Sequence, residues 1–267
     1  AQVVGGIAMF IGATSGGIVA QYSNLGVPYL IRSGCLLLSL GVASVIMRDF
    51  GFTPRPLRNI RKEVRDVINK SIDGGLRNPA VRWVMLLAPV LQGVSIYGFY
   101  AAQPYLLDLF GKTENYSIAG IGASLVAAAQ IVGGMSVPLT KKLFKKRTSL
   151  FAFVIFAGSI ALCLFGLVGN FWLALILLGL WSLLSAAMLP HQQAYLNKCI
   201  SSDSRATILS FDNTLGSLGG VVIQPVLGKT ADVWSFAMSF VVGGVIQLLA
   251  LPFVWLARRT ENEADII

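Results

Sequence analysis

The sequence predicts an all-α polytopic integral membrane protein with eight transmembrane helices. Three observations carry that reading: long apolar runs, a low charge content, and basic residues gathered in alternate gaps between the runs. Charged residues make up 12% of the 267-residue chain and apolar residues 55%, whereas soluble proteins carry about 25% charged residues. Seventeen of the 21 Lys and Arg residues fall in every second gap, and only Lys112 and Lys229 fall in the others. Basic loops stay cytoplasmic, so the first span runs from inside to outside and the C-terminus is expected in the cytoplasm of a cell bounded by a plasma (inner) membrane.

The runs, designated spans a to h, cover 2–20, 27–47, 82–107, 117–139, 148–168, 171–190, 206–227 and 235–257. Each is close to the ~20 residues that a helix rising ~1.5 Å per residue needs to cross ~30 Å of hydrocarbon. Span a carries Gly12 and Gly16 in a G-x-x-x-G spacing followed by Gly17, a small-residue face of the kind that lets helices approach closely in lipid. Span b carries Arg32 near its outer end. Two readings stand open for it: a cation snorkelling to the interface, or one recognising an anionic substrate.

Residues 48–80 form the longest hydrophilic stretch. Leu57, Ile60, Val64, Val67, Ile68 and Ile72 recur at helical spacing, Pro56 suits a first turn and Gly74-Gly75 a C-cap, so 56–72 reads as one amphipathic helix. Its basic face, Arg58, Arg61, Lys62, Arg65 and Lys70, is expected to meet lipid headgroups, with docking of a regulatory protein as the alternative. The net charge of +9 is concentrated in such loops, where anionic lipid is the counterion, so no nucleic-acid partner is expected.

Ionisable and polar residues inside spans are costly and point to a pathway. Span c presents a stripe through Gln92, Phe99 and Gln103, with Tyr97 and Tyr100 near its edges and Pro89 and Pro104 able to kink it. Span d contributes Gln130 and the small residues Gly120, Gly133 and Gly134. Span e contributes Cys163; with Cys35 and Cys199 it makes three free thiols, without disulfide or metal spacing. Span f contributes Trp181, Ser182 and Ser185, the indole suited equally to packing or to stacking on a substrate, and ends at His191, read as a loop or gate residue.

Span g holds Asp212, roughly 10 Å along the axis from Arg205 at ~1.5 Å per residue. It is either an acid paired with a cytoplasmic-side base or a coupling or gating group. Asn213, Ser217, Gly220 and Gln224 continue from it as one polar-to-small stripe, interleaved with Gly216 and Gly219. Span h ends in Arg258-Arg259.

A repeat organises these spans. Gly16-Gly17-Ile18-Val19-Ala20-Gln21 in a matches Gly219-Gly220-Val221-Val222-Ile223-Gln224 in g, in the same orientation and at the same remove from a cytoplasmic Arg. Spans a and b then correspond to g and h, as the last two of six. The expected organisation is 1–47 as the end of an N-terminal half, 48–80 as a central cytoplasmic loop, 81–260 as a C-terminal six-span half and 261–267 as a tail. The sequence is accordingly expected to be a C-terminal fragment, lacking four spans, or on the order of 130 residues.

With these residues in view, the chain resembles the major facilitator superfamily of secondary transporters, a 6+6 fold, over its spans five to twelve. Gly12-Ala13-Thr14-Ser15-Gly16-Gly17 is similar to the G-P-x-x-G-G motif of the family's antiporters, with Ala13 in place of the proline. Residues Gly134 to Arg147 occupy the place of its G-x-x-x-D-R-x-G-R-R loop, with Pro138 where the Asp would stand. Arg205-Ala206-Thr207, followed by Gly216, Gly219 and Gly220, is similar to the start of its eleventh span.

The resemblance implies alternating access by a monomer without cofactor, a substrate cavity lined by span c, and glycines that let two halves rock. It further implies proton-coupled efflux of a drug-like compound or metabolite. The neutral, aromatic and amide-rich candidates Gln92, Phe99, Tyr100, Gln103, Gln130, Trp181, Ser185, Asn213 and Gln224 favour an amphipathic or weakly polar small molecule. The competing classes are an integral-membrane enzyme acting on lipids and a non-transporting scaffold. The single His, three scattered Cys and lack of metal-ligand spacing argue against the enzyme.

Overall fold

The computed structural model describes residues 2–47, 60–111, 116–202 and 204–267. Seven of its helical segments are long and apolar enough to cross a membrane, and a bent pair makes the eighth. Helices α1 (Gln2–Tyr22) and α2 (Gly26–Ile46) are spans a and b; α3 (Ile60–Ser71) is the described part of the amphipathic helix. The expected first turn at 56–59, like Arg48, Arg55 and Lys112, lies outside the described residues.

Gly74 and Gly75 do not form the expected C-cap. The chain continues through them as a π-turn (Ile72–Leu76), with Gly75 close against the Met85 sulfur. Asn78 then starts the next helix, its side chain accepting from the Ala80 amide at 3.0 Å with Pro79 in the first turn.

Spans c, d and h are each interrupted. α4 (Pro79–Met85) gives way to α5 (Leu87–Phe110), α6 (Tyr116–Met135) to α7 (Val137–Leu143), and α11 (Phe236–Leu248) to α12 (Leu251–Arg259). Each break lies just ahead of a proline, at Pro89, Pro138 and Pro252, where a ring replaces a helical N–H and crowds the preceding turn. The α6–α7 bend reaches 60°. There Ser136 donates to the Gly133 carbonyl at 2.7 Å, satisfying a group the bend would strand in hydrocarbon. Pro104 sits within a continuous α5, which ends at Gly111 in the left-handed conformation (φ 71°).

α8 (Arg147–Leu167), α9 (Phe171–Cys199) and α10 (Arg205–Val233) complete the bundle. α9 runs nine residues past the expected end of span f at 190, which makes Gln192, Gln193 and Asn197 helical and puts Cys199 on its last turn. α1 packs antiparallel along α6, with Gly6 against Ile131 and Gly17 against Gly120, while α5 packs along α10, α8 along α11, and α9 against both α6 and α8. No residue of α2 is buried.

Two hydrophobic cores stack along the bundle. One joins Tyr97, Tyr105, Phe165, Trp181 and Phe240; the other joins Met85, Phe151, Tyr195 and Val254 at the end bearing the basic loops. In the first, the Tyr105 ring meets Phe165 edge-on at 5.1 Å while its hydroxyl donates to the Gly166 carbonyl at 3.1 Å. An aromatic ring with a satisfied hydroxyl packs as core.

The glycine seams lie where backbones nearly touch. A Cβ on Gly219 would strike the Pro89 carbonyl, and one on Gly216 the Gln92 side chain, so these two glycines set the α5–α10 approach. Gly220 is also buried, close to Ile96. In α1 the close approach expected at Gly12 and Gly16 lies instead one face over. Nothing stands within 4 Å of a Cβ on either, whereas Gly17 and Ala13 lie 3.2 and 3.1 Å from where a Cβ on Gly120 would stand. The 3.6-residue period rotates Gly17, not Gly12, toward α6.

A candidate transport cavity between the helices

A cavity of about 970 Å³ opens among α5, α6, α8, α9 and α10, large enough for a drug-sized molecule. α5 contributes Gln92, Ser95, Phe99 and Tyr100; α9 contributes Trp181, Ser182 and Ser185 and, on the same face toward its end, Gln192, Gln193 and Asn197. Asp212 and Asn213 enter from α10, Gln130 from α6 and Gln247 from α11. Met9 of α1 closes one side, bonded through its sulfur to the Gln130 amide at 3.8 Å.

Of the residues expected in the cavity, Gln92, Phe99, Tyr100, Gln130, Trp181, Ser185 and Asn213 line it, and so does Asp212. Gln103 and Gln224 do not. Gln103 lies three residues beyond Tyr100, half-buried and past the cavity's end, and the Gln224 amide folds back toward Gly220. Periodicity placed them on the right stripe, but the cavity is shorter than the stripe.

Trp181 is a wall more than a stacking surface. It is 3% exposed, and its indole N–H donates to Gln247 Oε1 at 3.1 Å, while the Gln247 amide donates to the Ile155 carbonyl at 3.2 Å. This chain of bonds ties α9, α11 and α8 together. The open aromatic surface is Tyr100, 66% exposed, against which Phe99 packs edge-on at 5.3 Å.

Asp212 is not paired with Arg205, whose guanidinium instead reaches the Asn197 carbonyl at 3.3 Å. Among the described residues Asp212 joins no salt bridge, and its Oδ1 is buried without a hydrogen-bond partner. Ser182 Oγ, also lining the cavity, is likewise buried without a partner.

Sequence reasoning missed Gln247, the one amide in span h, and the Gln192, Gln193 and Asn197 rim. Gln247 carried the same signal as Gln130, a lone amide in an apolar run; the rim residues were hidden by ending span f at the last hydrophobic residue. His191 proves to be a structural tie. It is buried, and its Nε2 shares a 2.7 Å hydrogen bond with the Thr140 hydroxyl, fastening α7 to α9.

No group of three or more His, Cys, Asp or Glu able to hold a metal ion occurs among the described residues. No curated protein matches the chain. The family model described as Major Facilitator Superfamily matches residues 1–224 and again 137–266, nearly the whole sequence. An all-helical chain with membrane-crossing segments around a cavity is what that match requires, and the chain belongs to the Major Facilitator Superfamily, whose members move small molecules across membranes.

Proposed function

We propose that the protein carries out secondary active transport by alternating access, as proton-coupled efflux of a drug-like compound or metabolite across the plasma (inner) membrane. One observation carries this reading: the cavity combines an apolar and aromatic wall with convergent amides and a single carboxylate, Asp212. A few polar groups in an otherwise apolar pocket orient a ligand without holding it too tightly to release.

The mouth of the cavity supports the direction. Asn197 and Leu209 stand near the ends of α9 and α10 that adjoin the basic loops. With those loops cytoplasmic, the cavity faces inward, poised to load from the cytoplasm. In this reading 1–47 belongs to one half and 81–260 to the other, and they meet where α1 crosses α6. That contact is made of small groups, with Thr14 and Ser124 hydroxyls 2.8 Å apart, and suits two bodies that rock against each other.

Gln92, Phe99, Tyr100 and Gln130 serve as substrate contacts, and Asp212 serves as the coupling group that gains and loses a proton as the cavity changes sides. The protein reconstituted in vesicles, with an imposed proton gradient and a panel of fluorescent amphipathic compounds, tests this. Gradient-driven accumulation of at least one compound, uncoupled from the gradient in Asp212→Asn, is the expected result. Folded protein that moves no compound under any gradient rejects it.

A further inference from the structure

Among the described residues, the wall of the cavity contains one charged side chain: none of those that line it is Lys, Arg or His, and Asp212 is the sole carboxylate. Every other polar contributor is a neutral amide, hydroxyl or indole. The one formal charge on the lining is therefore negative, and it stands on α10.

That carboxylate is short of partners in a way that position alone does not explain. The nearest expected base, Arg205, is exposed and turned to the Asn197 carbonyl, and Oδ1 accepts no hydrogen bond among the described residues. An ionised carboxylate removed from water carries a cost of several kcal/mol unless a counter-charge returns it. Such a cost is removed by a proton or by a cation that enters with the ligand. A neutral ligand leaves it in place, and an anionic one adds like-charge repulsion.

The surroundings suit an organic cation more than a bare ion. A metal ion needs several oxygen ligands converging on one point, whereas Asp212 has no second carboxylate within the lining. Ser182 and Asp212 both line the cavity, and each carries a buried oxygen, Oγ and Oδ1, without a partner among the described residues. At the far end, Phe99 and the exposed Tyr100 ring offer an apolar face with π-electron density for the body of such a molecule. The Gln92 side chain, seated on Gly216 one turn beyond Asp212, lies between the two.

We infer that the ligand of this cavity is an amphipathic monovalent organic cation, its positive group on the Asp212 carboxylate and its apolar body against Phe99 and Tyr100. The inference rests on the transport reading of the same cavity, and it specifies the charge that reading leaves open. It assigns Asp212 a direct contact, so that substrate and proton occupy the same carboxylate in turn.

Tetraphenylphosphonium and tetraphenylborate, of nearly one size and shape, separate the sign of charge, and neutral triphenylphosphine oxide, smaller by one ring, reports binding without charge. Their binding to the purified protein in detergent, and their translocation in vesicles, are measured for wild type, Asp212→Asn and Asp212→Glu. We expect the phosphonium to bind at least tenfold more tightly than the neutral probe, and the borate not to compete. Asp212→Asn abolishes that preference while still binding the neutral probe, which also shows that it is folded, and Asp212→Glu retains the preference. Equal affinity for cation and neutral probe, or an unchanged preference in Asp212→Asn, overturns the inference; if the neutral probe is still transported, the transport reading survives. A cation preference that depends on Asp212 with no probe translocated upholds the site and overturns the transport reading instead.

Discussion

Asp265→Ala tests the contact that closes the bundle at the end of the basic loops. The C-terminal turn, Glu263–Asp265, folds back so that Asp265 caps the first turn of α8 from 117 residues away in the chain. Its Oδ1 accepts from the Thr148 amide at 2.7 Å and its Oδ2 from the Thr148 hydroxyl at 2.9 Å. Arg147 donates to the Ala264 carbonyl, and Lys146 and Ile266 pair as an antiparallel bridge. Asp265 is 4% exposed and Thr148 1%, so water cannot take over these bonds. An N-cap is worth about 0.5–2 kcal/mol, and a hydrogen bond to a charged group about 1.5–3 kcal/mol. The two overlap in this one carboxylate, so we take about 2–4 kcal/mol for its removal. At roughly 2–4 °C per kcal/mol for a chain of this size, the midpoint of thermal unfolding falls by about 5–15 °C. Asp265→Asn keeps one acceptor and should lose about half as much. A double-mutant cycle with Thr148→Val should return a coupling energy of about 1–2 kcal/mol. Unfolding midpoints within about 1 °C of wild type for both Asp265 variants refute the reasoning, and zero coupling in the cycle assigns any loss to something other than this cap.

Further outcomes follow from the same geometry. Gly219→Ala drives a Cβ into the Pro89 carbonyl and should destabilise the protein by about 2–3 kcal/mol, whereas Gly12→Ala meets open space and gains helix propensity of about 0.5–1 kcal/mol; both are read from thermal midpoints. Trp181→Phe strands the Gln247 carbonyl oxygen and should cost about 1–3 kcal/mol, with Gln247→Leu in the same background recovering part of it. Thr140→Val removes the partner of buried His191 and should cost a similar about 1–3 kcal/mol, while Thr140→Ser retains the bond and the stability. Phe99→Ala together with Tyr100→Ala should raise the KM for a transported cation at least tenfold, at about 1.4 kcal/mol per tenfold change in binding, with an unchanged KM refuting their contact role.

The spans were legible because hydrocarbon imposes one rule on every residue it surrounds: the helix must be long enough and apolar enough. What the rule does not encode is which way each helix faces. Gly12 and Gly16 satisfy a packing motif as well as Gly17 does, but a turn of 100° per residue directs them away from α6. The Gly74-Gly75 pair looked like a stop signal, yet tertiary packing against Ile208 and Met85 holds it in a π-turn, because glycine allows close approach as readily as a left-handed cap. Span f was cut short for a different reason. A helix that lines a polar cavity loses its hydrophobic signature where it meets that cavity, so the residues of most functional interest looked like a loop.

The same logic sorts the polar groups inside the spans. Some are absorbed by their own helix, as Thr214 and Thr230 are, donating to the carbonyls of Ser210 and Val226 at 2.9 and 2.8 Å. Others brace two helices, as Tyr97 does by donating to Ser239 at 2.6 Å across α5 and α11. Both kinds are satisfied without a ligand, and conversion to apolar residues of like shape should leave a folded bundle. A third kind is buried without a partner among the described residues: Ser159 Oγ, for one, lies in the packed interior away from the cavity, whereas Asp212 and Ser182, with Oδ1 and Oγ unpaired, line it. Periodicity cannot separate these classes, since Asp212, Ser217 and Trp181 stand at equally good helical positions. Only the identity of the neighbour on the next helix separates them. A polar atom that finds that neighbour holds the bundle together, and of those that do not, only the ones on cavity-lining residues, as on Asp212 and Ser182, are placed to meet what the cavity admits.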